Sequence, residues 1–424
     1  PLFLFVPTTT AFAKKFDFDG IQNGGNPQGT LTQAKNGKLY GLTSGGGKDD
    51  FGVLFEYDLS TSTYTKKVEF TGDADGGYPY GSLVEANDGN LYGVTSGGGA
   101  NKYGVIFQFD PAASAYKVKF DFDDIVSGSA PQSSLIQAKD GKLYGTTEYG
   151  GTHEDGVVFQ YDITTSSYTK KFEFNDLGEL TGKYSIGALI QASNGMLYGM
   201  GYNGGIDNSG VLYKFDPATS TFNKEFDFHQ AGNGSRPVGA MIQAKDKMLY
   251  GVTQFGGIHN NGIIYQYDPS FDTYTKKFDF DLTASGDAPS SLLQATDGKL
   301  YGTTAYGGTN DKGVLFQFDP ATSTYTKKIE FNGTNGSVPV GELMQLNDGK
   351  IYGMTREGGA NDQGSLFQFD PASSNFTTKI DFDDTLKGSY PEGGLTLADG
   401  KLYGVTTRGG VNVNNELPDG FGVL

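Results

Sequence analysis

The sequence contains no cysteine and no tryptophan, and it has only 3 histidines among 424 residues. Without thiols the chain can form no disulfide, no zinc–thiolate site and no cysteine nucleophile. Basic residues are also few, because 32 Lys and Arg stand against 49 Asp and Glu, which gives a net charge of −17. We therefore expect neither nucleic acid nor an anionic membrane surface as a partner, since both need a basic footprint.

Long apolar runs are missing as well, and none reaches the roughly 18 residues that a membrane-spanning helix needs. We therefore expect no membrane insertion. The first 13 residues, PLFLFVPTTTAFA, allow two interpretations. They resemble the end of a secretory signal peptide that closes on A-F-A, although an initiating Met and a basic start are lacking. On the other interpretation they are strands of the folded domain.

A repeat dominates what is present. The tripeptide Leu-Tyr-Gly, once Ile-Tyr-Gly, recurs every 51–54 residues. Its tyrosines are Tyr40, Tyr92, Tyr144, Tyr198, Tyr250, Tyr301, Tyr352 and Tyr403. Eight units at this period predict a propeller or a solenoid array. Each unit holds four short alternating segments, strands a to d, and the units span approximately 27–70, 79–122, 131–174, 185–228, 237–280, 289–331, 339–382, and 391–424 completed by 1–18.

Turn chemistry separates these segments. Strands a and b are joined by Asn-Gly or Asp-Gly in seven units, which predicts two-residue type I′ hairpins. The fifth unit has Asp246-Lys247 instead, so its hairpin should be strained or differently shaped. Strands c and d are joined by Asp-Pro-Ala-Thr-Ser-Thr or a variant, in which Pro fixes φ and Asp caps backbone donors. Each unit should therefore be a four-stranded antiparallel meander.

Stacking and ring closure would bury the sheet faces that one unit leaves exposed. We predict an all-β fold consisting of a single eight-bladed β-propeller domain over residues 1–424, with an N-terminal strand joining the C-terminal blade. Residues 11–18 match strand d, and residues 420–424 match the start of strand c. Residues 2–5 complete strand c on the strand interpretation of the N-terminus.

The strings LYGTTEYGG…GVVFQYD and LYGVTQFGG…GIIYQYD resemble the bacterial Gloeo/Verruco (GloVer) tandem repeat over essentially the whole chain. The double glycine and the Asp-Pro-x-Thr turn are also similar to kelch repeats, with Tyr or Phe in place of Trp. The resemblance implies an exported bacterial propeller that is secreted or held at the cell surface. It implies no catalytic residues, and a kelch-type copper radical oxidase is excluded because its cross-linked cysteine is absent.

One face of the propeller should carry the b–c and d–a loops, which vary between units, whereas the a–b and c–d turns are nearly uniform. Variation on a uniform scaffold is typical of a binding face. Aromatic rings with arginines and carboxylates suit a sugar or a peptide segment, because they stack and form bidentate hydrogen bonds. Packing of these rings against neighbouring loops is the alternative. The candidate ligand-binding residues are Tyr149, Tyr202, Phe255, Tyr306, Arg356, Arg408, Arg236, Glu148, Glu357, Tyr78 and Tyr390.

No motif predicts a cofactor or a resident metal. Loops such as 73–76 hold the oxygen ligands that Ca²⁺ prefers, but solvated acidic turns are the interpretation we favour. The histidines, His153, His229 and His259, are too dispersed for a metal site. A side chain repeats at one position of strand a, where it either lines the channel or, as we favour, satisfies backbone groups of the next blade; it is Gln33, Glu85, Gln137, Gln191, Gln243, Gln294 or Gln345.

Three hypotheses for function follow. The first is a non-enzymatic, exported propeller that binds an extracellular glycan or a surface protein through the b–c and d–a loops. The second is a carbohydrate-active hydrolase or lyase that uses acidic residues of the same loops, such as Glu148, Glu357 or Glu392. The third is a structural scaffold for protein–protein contacts.

Overall fold

A computed structural model describes residues 1–177 and 180–410. The described residues form strands joined by turns, and every sheet is four-stranded and antiparallel. The strands are, in chain order, β1 (Leu2–Val6), β2 (Ala11–Phe16), β3 (Thr32–Gln33), β4 (Leu39–Thr43), β5 (Val53–Asp58), β6 (Thr63–Glu69), β7 (Val84–Glu85), β8 (Leu91–Thr95), β9 (Val105–Asp110), β10 (Ala115–Asp121), β11 (Ile136–Gln137), β12 (Leu143–Thr146), β13 (Val157–Asp162), β14 (Ser167–Glu173), β15 (Ile190–Gln191), β16 (Leu197–Gly201), β17 (Val211–Asp216), β18 (Thr221–Asp227), β19 (Ser235–Gln243), β20 (Leu249–Phe255), β21 (Ile263–Asp268), β22 (Thr273–Asp279), β23 (Asp287–Gln294), β24 (Leu300–Tyr306), β25 (Val314–Asp319), β26 (Thr324–Glu330), β27 (Ser337–Gln345), β28 (Ile351–Glu357), β29 (Ser365–Asp370), β30 (Asn375–Asp381), β31 (Thr396–Ala398) and β32 (Lys401–Val405).

Eight such sheets confirm the predicted all-β class and the eight blades of a β-propeller. The chain divides into two compact units, one with residues 1–173 and 382–424 and the other with residues 174–381. The first unit contains blades one to three, which are β3–β6, β7–β10 and β11–β14, together with blade eight. The second unit contains blades four to seven, which are β15–β18, β19–β22, β23–β26 and β27–β30.

Blade eight is built from both ends of the chain, in the order β2-β1-β32-β31. Leu2 pairs with Val405, so β1 occupies the position of strand c beside β32. Leu2, Phe3 and Phe5 are fully buried, which confirms the strand interpretation of the N-terminus against the signal-peptide one. The predicted contribution of residues 420–424 to strand c lies outside the described residues.

Where both neighbouring blades belong to the same unit, alternating side chains of strand c contact the two of them, as the period-two pattern predicts. In blade five, Ile263, Tyr265 and Tyr267 pack in one cluster with residues of blade four. The intervening Ile264 packs in another cluster with residues of blade six. Both faces of the sheet are therefore buried, and a blade cannot bury its apolar side chains without its neighbours.

The structure corrects the type I′ hairpin in six of the seven blades for which it was predicted. In blade three the N–H of Gly141 and the N–H of Ala138 donate to the carbonyls of Ala138 and Lys142, both at 2.9 Å. Only Gly141 has a positive φ, +81°. This is a three-residue loop, a type I turn followed by a left-handed residue. A type I′ turn forms only in blade eight, where the loop is one residue shorter and Asp399 and Gly400 both have positive φ.

The turn of blade five has the same three-residue shape as those of blades one to four, six and seven, so the predicted change of shape is wrong. Lys247 takes the place of glycine with a φ of +68°. Its N–H donates to the carbonyl of Ala244 at 2.8 Å, as in the other blades. The predicted strain is present at Lys247 alone, because this residue carries a side chain in the left-handed region.

The repeated strand-a side chain joins neighbouring blades, as we favoured. Nε2 of Gln137 donates to the carbonyl of Gly141 in its own turn at 2.8 Å. Its Oε1 accepts the N–H of Asn87 in the preceding blade at 2.9 Å. The same two bonds recur at Gln243, Gln294 and Gln345 within the second unit.

The tyrosine of Leu-Tyr-Gly is a structural residue. The hydroxyl of Tyr301 donates to Asp297 in the a–b turn at 2.9 Å and accepts Nε2 of Gln317 from strand c at 2.8 Å. Burial, with the nearby carboxylate of Asp297, raises the pKa of Tyr301. The tripeptide that reveals the repeat therefore belongs to the blade interior and supplies no reactive group.

Candidate ligand-binding face

Each blade carries its b–c loop and its incoming d–a loop at the same end, which we call the loop end. In every blade a residue of the d–a loop pairs with the residue that precedes the double glycine of the b–c loop. The pairs are Gly25–Gly45, Gly77–Gly97, Ser129–Tyr149, Lys183–Asn203, Ser235–Phe255, Asp287–Tyr306, Ser337–Glu357 and Ser389–Arg408. The predicted association of these two loops is therefore present within each blade.

The residue after each of these paired d–a residues adopts a left-handed backbone, with φ between 51° and 57° in all eight blades. We call it the display position, and its occupants are Asn26, Tyr78, Ala130, Tyr184, Arg236, Ala288, Val338 and Tyr390. Such a φ costs about 1 kcal/mol for a residue with a side chain. A β-branched residue such as Val338 is an outlier there.

Hydrogen bonds between neighbouring blades explain the left-handed backbone of the display position. At five display positions the N–H donates to a carbonyl in the b–c loop of the preceding blade, as from Tyr78 to Phe51 at 2.9 Å and from Arg236 to Ser209 at 2.8 Å; the other three are Ala130, Ala288 and Val338. Proline follows in most blades, and it disfavours a right-handed helical conformation for the preceding residue. Each loop end thus presents one side chain in a fixed direction.

The b–c loops are held by carboxylates at the end of strand d. Glu69 accepts the N–H of Lys48 at 2.5 Å and pairs with the ammonium of Lys66 at 2.8 Å. These bonds, chiefly the one to Lys66, lower the pKa of Glu69. The same acceptor recurs as Asp121, Glu173, Asp227, Asp279, Glu330 and Asp381.

Three predicted residues meet at the loop ends of blades four and five. The guanidinium carbon of Arg236 lies 5.6 Å from the ring centroid of Tyr202 and 5.3 Å from that of Phe255. The hydroxyl of Tyr202 donates to Oε1 of Gln254 at 3.2 Å. A cation between two ring faces is an electrostatically favourable arrangement. We call these four residues the Arg236 cluster.

A second pair of predicted residues meets in blade eight, where the guanidinium carbon of Arg408 lies 5.0 Å from the ring centroid of Tyr390. Arg236, Arg356 and Arg408 are the only arginines of the chain. All three stand at loop ends: Arg236 occupies a display position, Arg408 directly precedes a double glycine, and Arg356 lies one residue further from one, at the end of β28.

The other predicted residues lie at the loop ends of further blades. Tyr149 and Tyr306 are exposed over 42% and 48% of their surface, so part of each ring can be reached from the solvent. Tyr78 is less free, because its ring lies 5.0 Å from that of Phe51. Glu148 accepts a short hydrogen bond from the amide of Gln132.

The profile of the Gloeobacter/Verrucomicrobia repeat family matches this chain three times, over residues 2–186, 171–345 and 283–417. The chain belongs to this family. A search of curated proteins finds no match. Membership in this family agrees with the repeated blades described above, and it assigns no ligand.

Two solved structures share the fold at low identity, and a third match is weaker. A Mycobacterium tuberculosis puromycin-hydrolyzing peptidase matches with a TM-score of 0.52 and 10% identity over 87% of this chain and 55% of its own. A prolyl endopeptidase matches with 0.51 and 13% over 84% and 50%. The extracellular domain of a putative one-component system from B. thetaiotaomicron matches with 0.45 and 13% over 95% and 60%. The chain thus spans only about half to three fifths of each of these proteins.

Acidic and imidazole groups of this Gloeobacter/Verrucomicrobia repeat protein have partners of their own. Asp73 pairs with Lys102 at 2.7 Å, and Asp75 accepts the hydroxyl of Thr71 at 2.7 Å. Each histidine faces one carboxylate, as His229 does Asp207 at 2.5 Å. Within residues 1–177 and 180–410, no group of three or more His, Asp or Glu side chains is placed to hold a metal ion. The same ranges contain no helix that could cross a membrane.

Sequence reasoning missed a cavity of about 400 Å³ along the inner strands of blades five to seven. Small residues line it together with Glu342: Gly239, Ala240, Ser290, Ser291 and Gly341. The signal is a Gly or Ser midway along strand a in each of these blades, at Gly239, Ser290 and Gly341. Inner strands approach closely there, since a Cβ on Gly239 would lie 2.4 Å from the carbonyl oxygen of Ser290.

Proposed function

We propose that this protein binds an extracellular glycan, without catalysing its cleavage, through the loop ends of its blades. One observation carries the proposal: an acidic chain with a net charge of −17 places its only three arginines in these loops. Two of them, Arg236 and Arg408, lie over aromatic rings. A role in solubility would not require arginine in particular, because lysine serves as well on an exposed surface.

Exposed rings support a sugar ligand. Tyr149 and Tyr306 precede the double glycines of blades three and six and are about half exposed. Tyrosine offers a flat apolar face with a polar edge, which suits a sugar that is apolar on one face and rich in hydroxyls at its rim. A location outside the cell or at its surface is part of the proposal, because a glycan ligand is presented there.

A triple variant tests the proposal. Changing Tyr149, Phe255 and Tyr306 to Ala together should abolish binding on a glycan array and in affinity gels. The matched control is Phe271→Ala, because Phe271 is 81% exposed but lies in a c–d turn at the opposite end of its blade. Retention of wild-type binding by the triple variant, or an equal loss in the control, would overturn the proposal.

The glycan panel also separates binding from hydrolysis. Incubation of each bound glycan with the protein should release no new reducing ends or unsaturated products. Turnover that is lost on Glu148→Gln or Glu357→Gln would replace this proposal with the carbohydrate-active enzyme of the sequence analysis.

A further inference from the structure

We propose that the Arg236 cluster is a subsite for the carboxylate of an acidic sugar, so that the protein prefers uronic-acid glycans to neutral ones. This inference rests on the proposed function, since it names the glycan class that the loop ends of blades four and five select. The cluster joins Tyr202 from the b–c loop of blade four to Arg236, Gln254 and Phe255 of blade five.

Unused hydrogen-bond donors converge in this cluster. The guanidinium of Arg236 forms no ion pair with any residue in the described ranges, and the side chain is exposed. Oε1 of Gln254 already accepts the hydroxyl of Tyr202, which leaves the two N–H groups of its amide. Donors without a matching acceptor on the protein favour an anionic ligand.

Two lysines of the same blades do have carboxylate partners. The ammonium of Lys214 in blade four lies 3.1 Å from Glu225 and 2.7 Å from Asp272. Lys276 in blade five pairs with Asp279 at 2.8 Å. Arg236 has no such partner among the described residues, so its charge is available to a ligand.

The arrangement fits a carboxylate better than a point anion. The guanidinium carbon lies over both rings and the side chain of Arg236 is exposed, so a planar carboxylate that arrives from the solvent can accept two parallel hydrogen bonds from its N–H groups. The left-handed backbone of Arg236 and its N–H bond to Ser209 limit the freedom that binding would remove.

Polygalacturonate and its fully methyl-esterified form are the probes, because esterification removes the charge and keeps the sugar backbone. The wild-type protein should bind the acid form more tightly, with an affinity that falls as salt is added. Arg236→Gln should weaken binding to the acid form about tenfold or more. Binding to the ester should fall much less, because the ester offers Arg236 no carboxylate charge.

Two further variants keep the test independent of folding. Gln254→Met retains the packing volume but loses the amide donors, and it should weaken acid binding in the same direction. Lys117→Gln removes an equally exposed charge from an outer strand and should leave binding unchanged. Thermal unfolding of each variant within a few degrees of wild type shows that the fold is intact.

Outcomes separate the two proposals. Equal binding of acid and ester, both insensitive to Arg236→Gln but lost in the triple variant, would overturn the carboxylate subsite and keep glycan binding. A protein that binds no glycan of either kind or on the array would overturn both. A requirement for an acidic peptide in place of the sugar would also overturn the subsite as stated.

Discussion

The backbone N–H of Arg236 donates a hydrogen bond of 2.8 Å to the carbonyl of Ser209 in the preceding blade. A contact made for blade stacking thereby fixes the direction of a side chain that faces the solvent. The same left-handed geometry recurs at all eight display positions, whose side chains range from Ala to Tyr and Arg. The repeat keeps the backbone conformation of the display position constant and varies the side chain that stands there.

Lys247→Gly should stabilise the protein by about 1 kcal/mol, because glycine pays no steric cost at the φ of +68° that Lys247 adopts. Urea unfolding measures the change as a rise in the midpoint. Gly298→Lys is the reverse substitution in the next blade, and nothing lies within 4 Å of a Cβ built there. It should lower stability by a similar amount, and a destabilising Lys247→Gly would show that the side chain makes an unrecognised contact.

Gly150→Ala should cost more than Gly141→Ala, although both glycines have a φ near +80°. A Cβ at Gly150 would lie 2.5 Å from the carbonyl oxygen of Asp124, whereas one at Gly141 would meet no atom within 4 Å. We expect a loss of about 1 kcal/mol at Gly141 and at least about 2 kcal/mol at Gly150. Equal losses in thermal melts would mean that the double-glycine loop is not tightly packed.

Gln137→Leu should destabilise the protein by about 1 kcal/mol or more, because it leaves the N–H of Asn87 and the carbonyl of Gly141 without their side-chain partner. Gln137→Glu should cost less, since Glu85 accepts the equivalent N–H of Lys35 at 3.0 Å in blade two. Chemical unfolding of both variants provides the comparison. A neutral Gln137→Leu would show that the inner-strand contacts do not couple blades one to three.

Acid should weaken the b–c loops. Hydrogen bonds, first from Lys66, lower the pKa of Glu69 below its ordinary value of 4.5, and Lys327 does the same for Glu330. A carboxyl whose folded pKa is depressed contributes stability above its unfolded pKa and loses it as the pH falls through the folded value. The melting temperature should therefore drop below about pH 4.5. Glu69→Gln should be less stable than wild type at pH 7, with a gap that closes towards pH 3.

Sequence periodicity and turn residues were enough for the blades, the strand order and the closure of blade eight, because these depend on local patterns that repeat. The a–b turn was misjudged because Asp140-Gly141 was interpreted without the preceding Lys139, which adds a third loop residue. At the loop ends the sequence identified Tyr202, Arg236 and Phe255 as candidates. It could not show their convergence, which depends on how blade four meets blade five.

Hydrogen–deuterium exchange, with and without the tightest-binding glycan of the panel, tests the central claim most directly. We predict protection in peptides that cover the loop ends, such as 202–210, 230–237 and 254–262, and no change at the c–d turns, such as 268–273. Protection confined to the c–d turns, or to the inner strands that line the cavity at Gly239 and Gly341, would contradict the account.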